Sequence, residues 1–113
     1  MKKRGIGLAQ AMNGWRYILK ETNAKIHLAA TILVTSAGFV LGISKGEWLW
    51  IITAIALVWI AEAFNTAIEY LVDIVHPEWG KKAGIVKDIS AGSVLFAALF
   101  ALCVAAMIFI PNI

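Results

Sequence analysis

The chain has one cysteine, seven acids against ten basic residues, and no glycine-rich nucleotide motif. Each scarcity excludes something. A lone Cys103 in an apolar run forms no intrachain disulfide, and no Cys/His spacing of the zinc type occurs. Alternating strand patterns at barrel spacing are missing, which argues against a β-barrel. Walker A, the kinase glycine loop, the nucleophile elbow and HExxH are all absent. Any phosphate chemistry must therefore use carboxylates, a metal and isolated lysines.

Apolar residues are present in excess. They make up 61% of 113 residues, and mean hydropathy is +0.82. A soluble domain carries roughly 45–50%, and a chain this short cannot bury the surplus. A membrane can. A bilayer-crossing helix takes about 20 mostly apolar residues. Three runs supply them, predicting spans over about residues 26–44, 48–72 and 88–110 within a single domain, 1–113. Ahead of them, "GIGLAQAMNGWRYILK" reads as an amphipathic surface helix over about residues 5–22. Its apolar residues include Ile6, Leu8, Met12, Trp15 and Leu19, and Arg16 and Lys20 can reach lipid phosphates. A basic start before an apolar run also fits a signal peptide, but this run is longer than a usual signal core.

The basic residues orient the spans. Lys2, Lys3, Arg4, Arg16, Lys20 and Lys25 precede the first span, and Lys81, Lys82 and Lys87 lie between the second and third. Lys45 alone lies between the first and second. The positive-inside rule puts the N-terminus in the cytoplasm and the end of the third span outside. Trp48 and Trp50 suit the outer interface. So distributed, the charge speaks to a membrane and not to a nucleic-acid partner.

From Trp48 to Ala61 no residue is charged; then Glu62, Asn65, Glu69 and Asp73 follow. At about 100° per residue they share roughly an 80° arc of one helix, at the cytoplasmic end of the second span. An ionisable group inside a span is expensive and functional by default. Carboxylates beside an amide oxygen suit Mg²⁺. Glu62 is the deepest, and burial beside a second acid penalises its charged form, which suits a general base. The structural alternative is pairing with basic residues of neighbouring helices, most plausible for Asp73. Asp88 reads as an N-cap of the third span, with Lys87 beside it, an arrangement suited to phosphate. Glu21 is the only acid before the first span. His27, at the start of the first span, could be a ligand, but a headgroup-level residue is the favoured reading.

These pieces resemble a known family. "EAFNTAIEYLVD" at 62–73, "PEW" at 77–79 and "KDISAG" at 87–92, with Glu21 upstream, are similar to the small prokaryotic integral-membrane lipid kinases, the diacylglycerol kinase and undecaprenol kinase family. The resemblance covers nearly the whole chain. It implies an all-α membrane protein of three transmembrane helices and an N-terminal amphipathic surface helix, assembled as a homotrimeric bundle with sites shared between subunits. It also implies ATP- and Mg²⁺-dependent phosphorylation of a membrane lipid alcohol at a bacterial inner membrane. Glu62 would be the catalytic base, and Glu21 and Glu69 the metal ligands. Glu21, Glu69, Asp73, Glu78, Lys87 and Asp88 would be ATP-binding, and Asn65 a support. Gly80 and Ala9 depart from the enterobacterial diacylglycerol kinases, which carry His and Tyr there. "ETNAKIHL" is closer to the undecaprenol branch, so undecaprenol is favoured over diacylglycerol. The competing expectation is a non-enzymatic oligomeric cation channel or transporter lined by Glu62 and Asn65.

Overall fold

The computed structural model describes residues 7–113. Four helices follow one another: α1 (Leu8–Ile18), α2 (Thr22–Leu41), α3 (Lys45–Val75) and α4 (Lys81–Asn112). Among the described residues there is no strand. Part of the expected surface helix, residues 5 and 6, and the basic Lys2, Lys3 and Arg4 lie outside the described residues.

Local chemistry sets the breaks. α1 closes at Leu19, whose N–H donates to the Trp15 carbonyl at 2.9 Å. Glu21 is extended at φ −71°, ψ 143°, and starts α2. α2 stops at Gly42, in the left-handed region at φ 62°, where a Cβ would be penalised. Ile43 N–H then donates to the Gly38 carbonyl at 3.2 Å, the six-to-one bond that satisfies an end carbonyl. Ser44 and Glu47 form a capping box at the start of α3, with bonds of 3.2 and 2.9 Å. Pro77 and Gly80 interrupt the helix between α3 and α4.

α2, α3 and α4 are long and apolar enough to cross a membrane. They run up, down and up. The start of α2, the end of α3 and the start of α4 therefore share one side. At the opposite end Ile43, Ile51, Ala54, Val104 and Ile108 make the apolar core, with Trp48 and Phe109 against it. Asn112 donates to Glu47 Oε2 at 3.0 Å there, tying α4 to α3. Trp50 is exposed, whereas Trp48 turns inward over Gly38. Leu33, Phe39, Phe96 and Met107 point outward; lipid tails are as apolar as they are, so that exposure carries no hydrophobic cost.

The 31 residues of α3 extend about 46 Å at 1.5 Å per residue, beyond a hydrocarbon core of about 30 Å. Its last turns, carrying Glu69 and Asp73, project past the apolar slab. α4 likewise starts before its apolar run. Asp88 is therefore not the cap of the third span. The cap is Gly80, and Asp88 lies well inside α4. The reason is local: after Gly80 no proline interrupts Lys81–Asp88, so the helix continues back to the turn.

Candidate active site

Glu62 is 1% exposed, at the deep end of the polar stripe on α3. Asn65 and Thr66, one turn further on, are buried too, and so is Ser90 of α4. Glu62 Oε2, Asn65 Oδ1, Thr66 Oγ1 and Ser90 Oγ have no hydrogen-bond partner among the described residues. A buried carboxylate left in that state is held at a cost of several kcal/mol. Such groups are kept where they act.

Glu21 and Glu69 both lie near enough to act electrostatically on Glu62. Glu21 comes from the N-terminus of α2 and does not spend its carboxylate on a cap bond. Glu69 comes from α3, two turns beyond Glu62, and is half-buried. The up-down-up topology brings each of them towards Glu62. Among the described residues, no group of three or more His, Cys, Asp or Glu side chains could by itself hold a metal. Mg²⁺ usually takes only one or two carboxylates and completes its octahedron with water and phosphate oxygens. Two uncommitted acids fit it.

Towards the turn, Lys87 Nζ donates to Asp73 Oδ1 at 2.6 Å, so Asp73 does pair across helices. Lys87 also lies near enough to Glu69 to feel its charge. Asp73, Glu78, Trp79, Lys87 and Asp88 line an open cavity of about 380 Å³ in the bend between α3 and α4. Four of the residues expected to bind a nucleotide, Asp73, Glu78, Lys87 and Asp88, thus face one space, about three helical turns along α3 from the buried acid; Glu21 and Glu69 do not line it. Asp88 stays in this set although it caps nothing.

His27 differs from expectation. Its side chain is 15% exposed, and its Nε2 lies 3.8 Å from Glu62 Oε2. Its ring is edge-on to Trp59, at 6.2 Å between centroids and 71°. Trp59 Nε1 donates to Thr31 Oγ1 at 3.0 Å, and Thr31 donates to the His27 carbonyl at 2.7 Å. The sequence reading missed Thr66 and Ser90, and it did not place His27 against Glu62. Thr66 carried a signal, being one turn from Glu62 on the same helix. His27 and Ser90 sit on other helices, where only packing decides the facing.

The prokaryotic diacylglycerol kinase family model matches residues 9–109. The chain belongs to this family. Among its relatives, an undecaprenol kinase of Bacillus subtilis (strain 168) is 32% identical over 99 residues, covering 88% of this chain and 80% of that protein. A diacylglycerol kinase of Synechocystis sp. is 33% identical over 92 residues, 80% of this chain and 53% of that protein. As a prokaryotic diacylglycerol kinase family member, the chain is a multi-pass membrane lipid kinase, a phosphotransferase acting on an alcohol group. The channel expectation yields to that membership. The match runs from α1 into the last turn of α4, so it takes in Glu62 and the turn cavity together.

Proposed function

We propose that the chain transfers the γ-phosphoryl group of ATP, with Mg²⁺, to the primary hydroxyl of a membrane lipid alcohol, with undecaprenol ahead of diacylglycerol. The observation that carries this is the buried, unpartnered Glu62 carboxylate on the same face of α3 as the Lys87–Asp73 cavity, about three turns deeper. A base at membrane depth and a polar cavity beyond it match a substrate with its tail in lipid and a donor that arrives from water.

In this reading Glu62 accepts the proton of the lipid hydroxyl. The freed oxygen forms a bond to the γ-phosphorus. The bond from that phosphorus to the bridging oxygen breaks, and its electron pair leaves with ADP. Phosphoryl transfer requires mainly positioning and charge neutralisation. Glu21 and Glu69 would hold Mg²⁺, which supplies positive charge against the phosphates. Lys87 steadies the transferring group, moving from Asp73 to do so. Asn65 orients the hydroxyl, while Asp73, Glu78 and Asp88 meet the nucleotide.

The order of lipids leans on the relative named undecaprenol kinase, which this chain covers more fully. The nine-to-one split of basic residues favours a bacterial inner membrane with the N-terminus and site in the cytoplasm. A homotrimer is part of the proposal, since three thin spans give ATP little enclosure. The test is Mg²⁺-dependent transfer of ³²P from ATP to a membrane lipid extract, with chromatography of the product. Labelled polyprenyl phosphate is expected. Labelled phosphatidic acid would reverse the order of lipids, and no labelled lipid would overturn the reading.

A further inference from the structure

We propose that His27 is a positioning residue for the Glu62 carboxylate, with its Nε2–H aimed at Oε2 across the α2–α3 contact. The proposal rests on Glu62 being the base. Two buried polar atoms, His27 Nε2 and Glu62 Oε2, lack partners among the described residues and lie 3.8 Å apart. A carboxylate can only accept and a protonated ring nitrogen donates, so each is what the other lacks. A movement of about 1 Å closes the gap to a charge-assisted bond of about 2.8 Å. Such a bond fixes which oxygen of Glu62 is left free for the lipid hydroxyl.

The ring is itself held. Trp59, three residues before Glu62 on the same helix, stands edge-on against His27. It also anchors the His27 backbone through Thr31, by bonds of 3.0 and 2.7 Å. Trp15 of α1 packs on the other side of Trp59, at 5.7 Å and 64°. Trp15 of α1 and Trp59 of α3 thereby set the α2 ring that faces the acid of α3. His27 also lines a cavity of about 240 Å³ whose walls include Asn23, Asn65, Val94 and Leu95. It therefore stands between the acid and an opening that reaches the α2–α4 gap.

The test compares His27→Leu with His27→Gln in the full chain in lipid–detergent micelles, beside Glu62→Gln. Gln keeps an N–H donor near the Nε2 position; Leu keeps bulk and loses the donor. A misplacement on the order of 1 Å at a reacting group costs up to about 100-fold. His27→Leu should lose about 10- to 100-fold in kcat with KM for ATP unchanged, and His27→Gln should recover most of it. An independent readout uses ¹⁵N-histidine labelling. The chain has two histidines, so His76→Asn assigns the spectrum. Glu62→Gln should then shift the His27 Nε2 resonance and leave that of His76 in place. Parent-like kcat in His27→Leu, equal losses in both His27 variants, or an unmoved Nε2 resonance would overturn the proposal. If Glu62→Gln itself is fully active, the assignment of the base falls instead.

Discussion

Lys87 of α4 and Asp73 of α3 meet at 2.6 Å across the bend that joins their helices. Both side chains are well exposed, at 38% and 60%, so solvent screens the pair and it adds little to stability. Its value lies in holding a lysine at the mouth of the cavity. Lys87→Met should therefore leave thermal unfolding nearly unchanged while lowering kcat by about 100- to 1,000-fold, as for a lost charge-stabilising donor. Asp73→Asn should mainly raise KM for ATP. Steady-state kinetics beside a melting curve separates the two effects, and a large fall in melting temperature would make the pair structural.

Glu69 faces the same region as Glu62 and Glu21. Glu69→Gln should remove most Mg²⁺-dependent turnover from a folded protein, a loss of roughly 2–4 kcal/mol at the transition state. A Mg²⁺ titration checks it. Parent-like turnover at saturating Mg²⁺ would refute the assignment of this acid.

Glu21 lies near Glu62 within one chain; the proposed homotrimer would let a neighbour's Glu21 serve that acid instead, and this makes a prediction about mixtures. Glu21→Gln and Glu62→Gln chains should each be inactive alone. Mixed in detergent and allowed to exchange, they should regain activity, because some interfaces then receive both intact acids. Pull-down through a tag verifies the exchange. Exchange without any recovery would mean that each site is built within one chain.

The nine-to-one basic asymmetry predicts that the end of α4 lies outside the cytoplasm. Fusions after Ile113 should be active for a reporter that works only outside and silent for one that works only inside. The opposite pattern would overturn the orientation.

Gly38 lets Trp48 approach. A Cβ there would stand 2.6 Å from Trp48 Cη2 and 3.2 Å from Ile43 Cδ1. The indole is pinned by Phe39, 4.9 Å away. Gly38→Val should cost about 1–3 kcal/mol through overpacking, read as a lower melting temperature by circular dichroism in detergent. Gly46→Ala, in the exposed first turn of α3, should instead gain up to about 1 kcal/mol from helix propensity.

Much was legible in the chain itself. Uncharged runs bounded by lysines determined three spans, because a bilayer accepts only segments that satisfy their own backbone and hide no charge. Helical spacing determined that Glu62, Asn65, Glu69 and Asp73 share a face, since 3.6 residues per turn is fixed by the backbone. What lies opposite that face could not be read. No periodicity on α2 shows that His27 meets Glu62, and none on α4 shows that Ser90 is buried, because apolar helices present no single inward stripe when lipid and protein are equally apolar. Only the packing of α2 and α4 against α3 decided those partners. The start of α4 was also decided there. Sequence hydropathy marks where a helix enters the hydrocarbon, whereas the backbone goes on hydrogen-bonding into the headgroups until Pro77 and Gly80 stop it, which carries Lys87 and Asp88 on a helix to the place where Asp73 arrives.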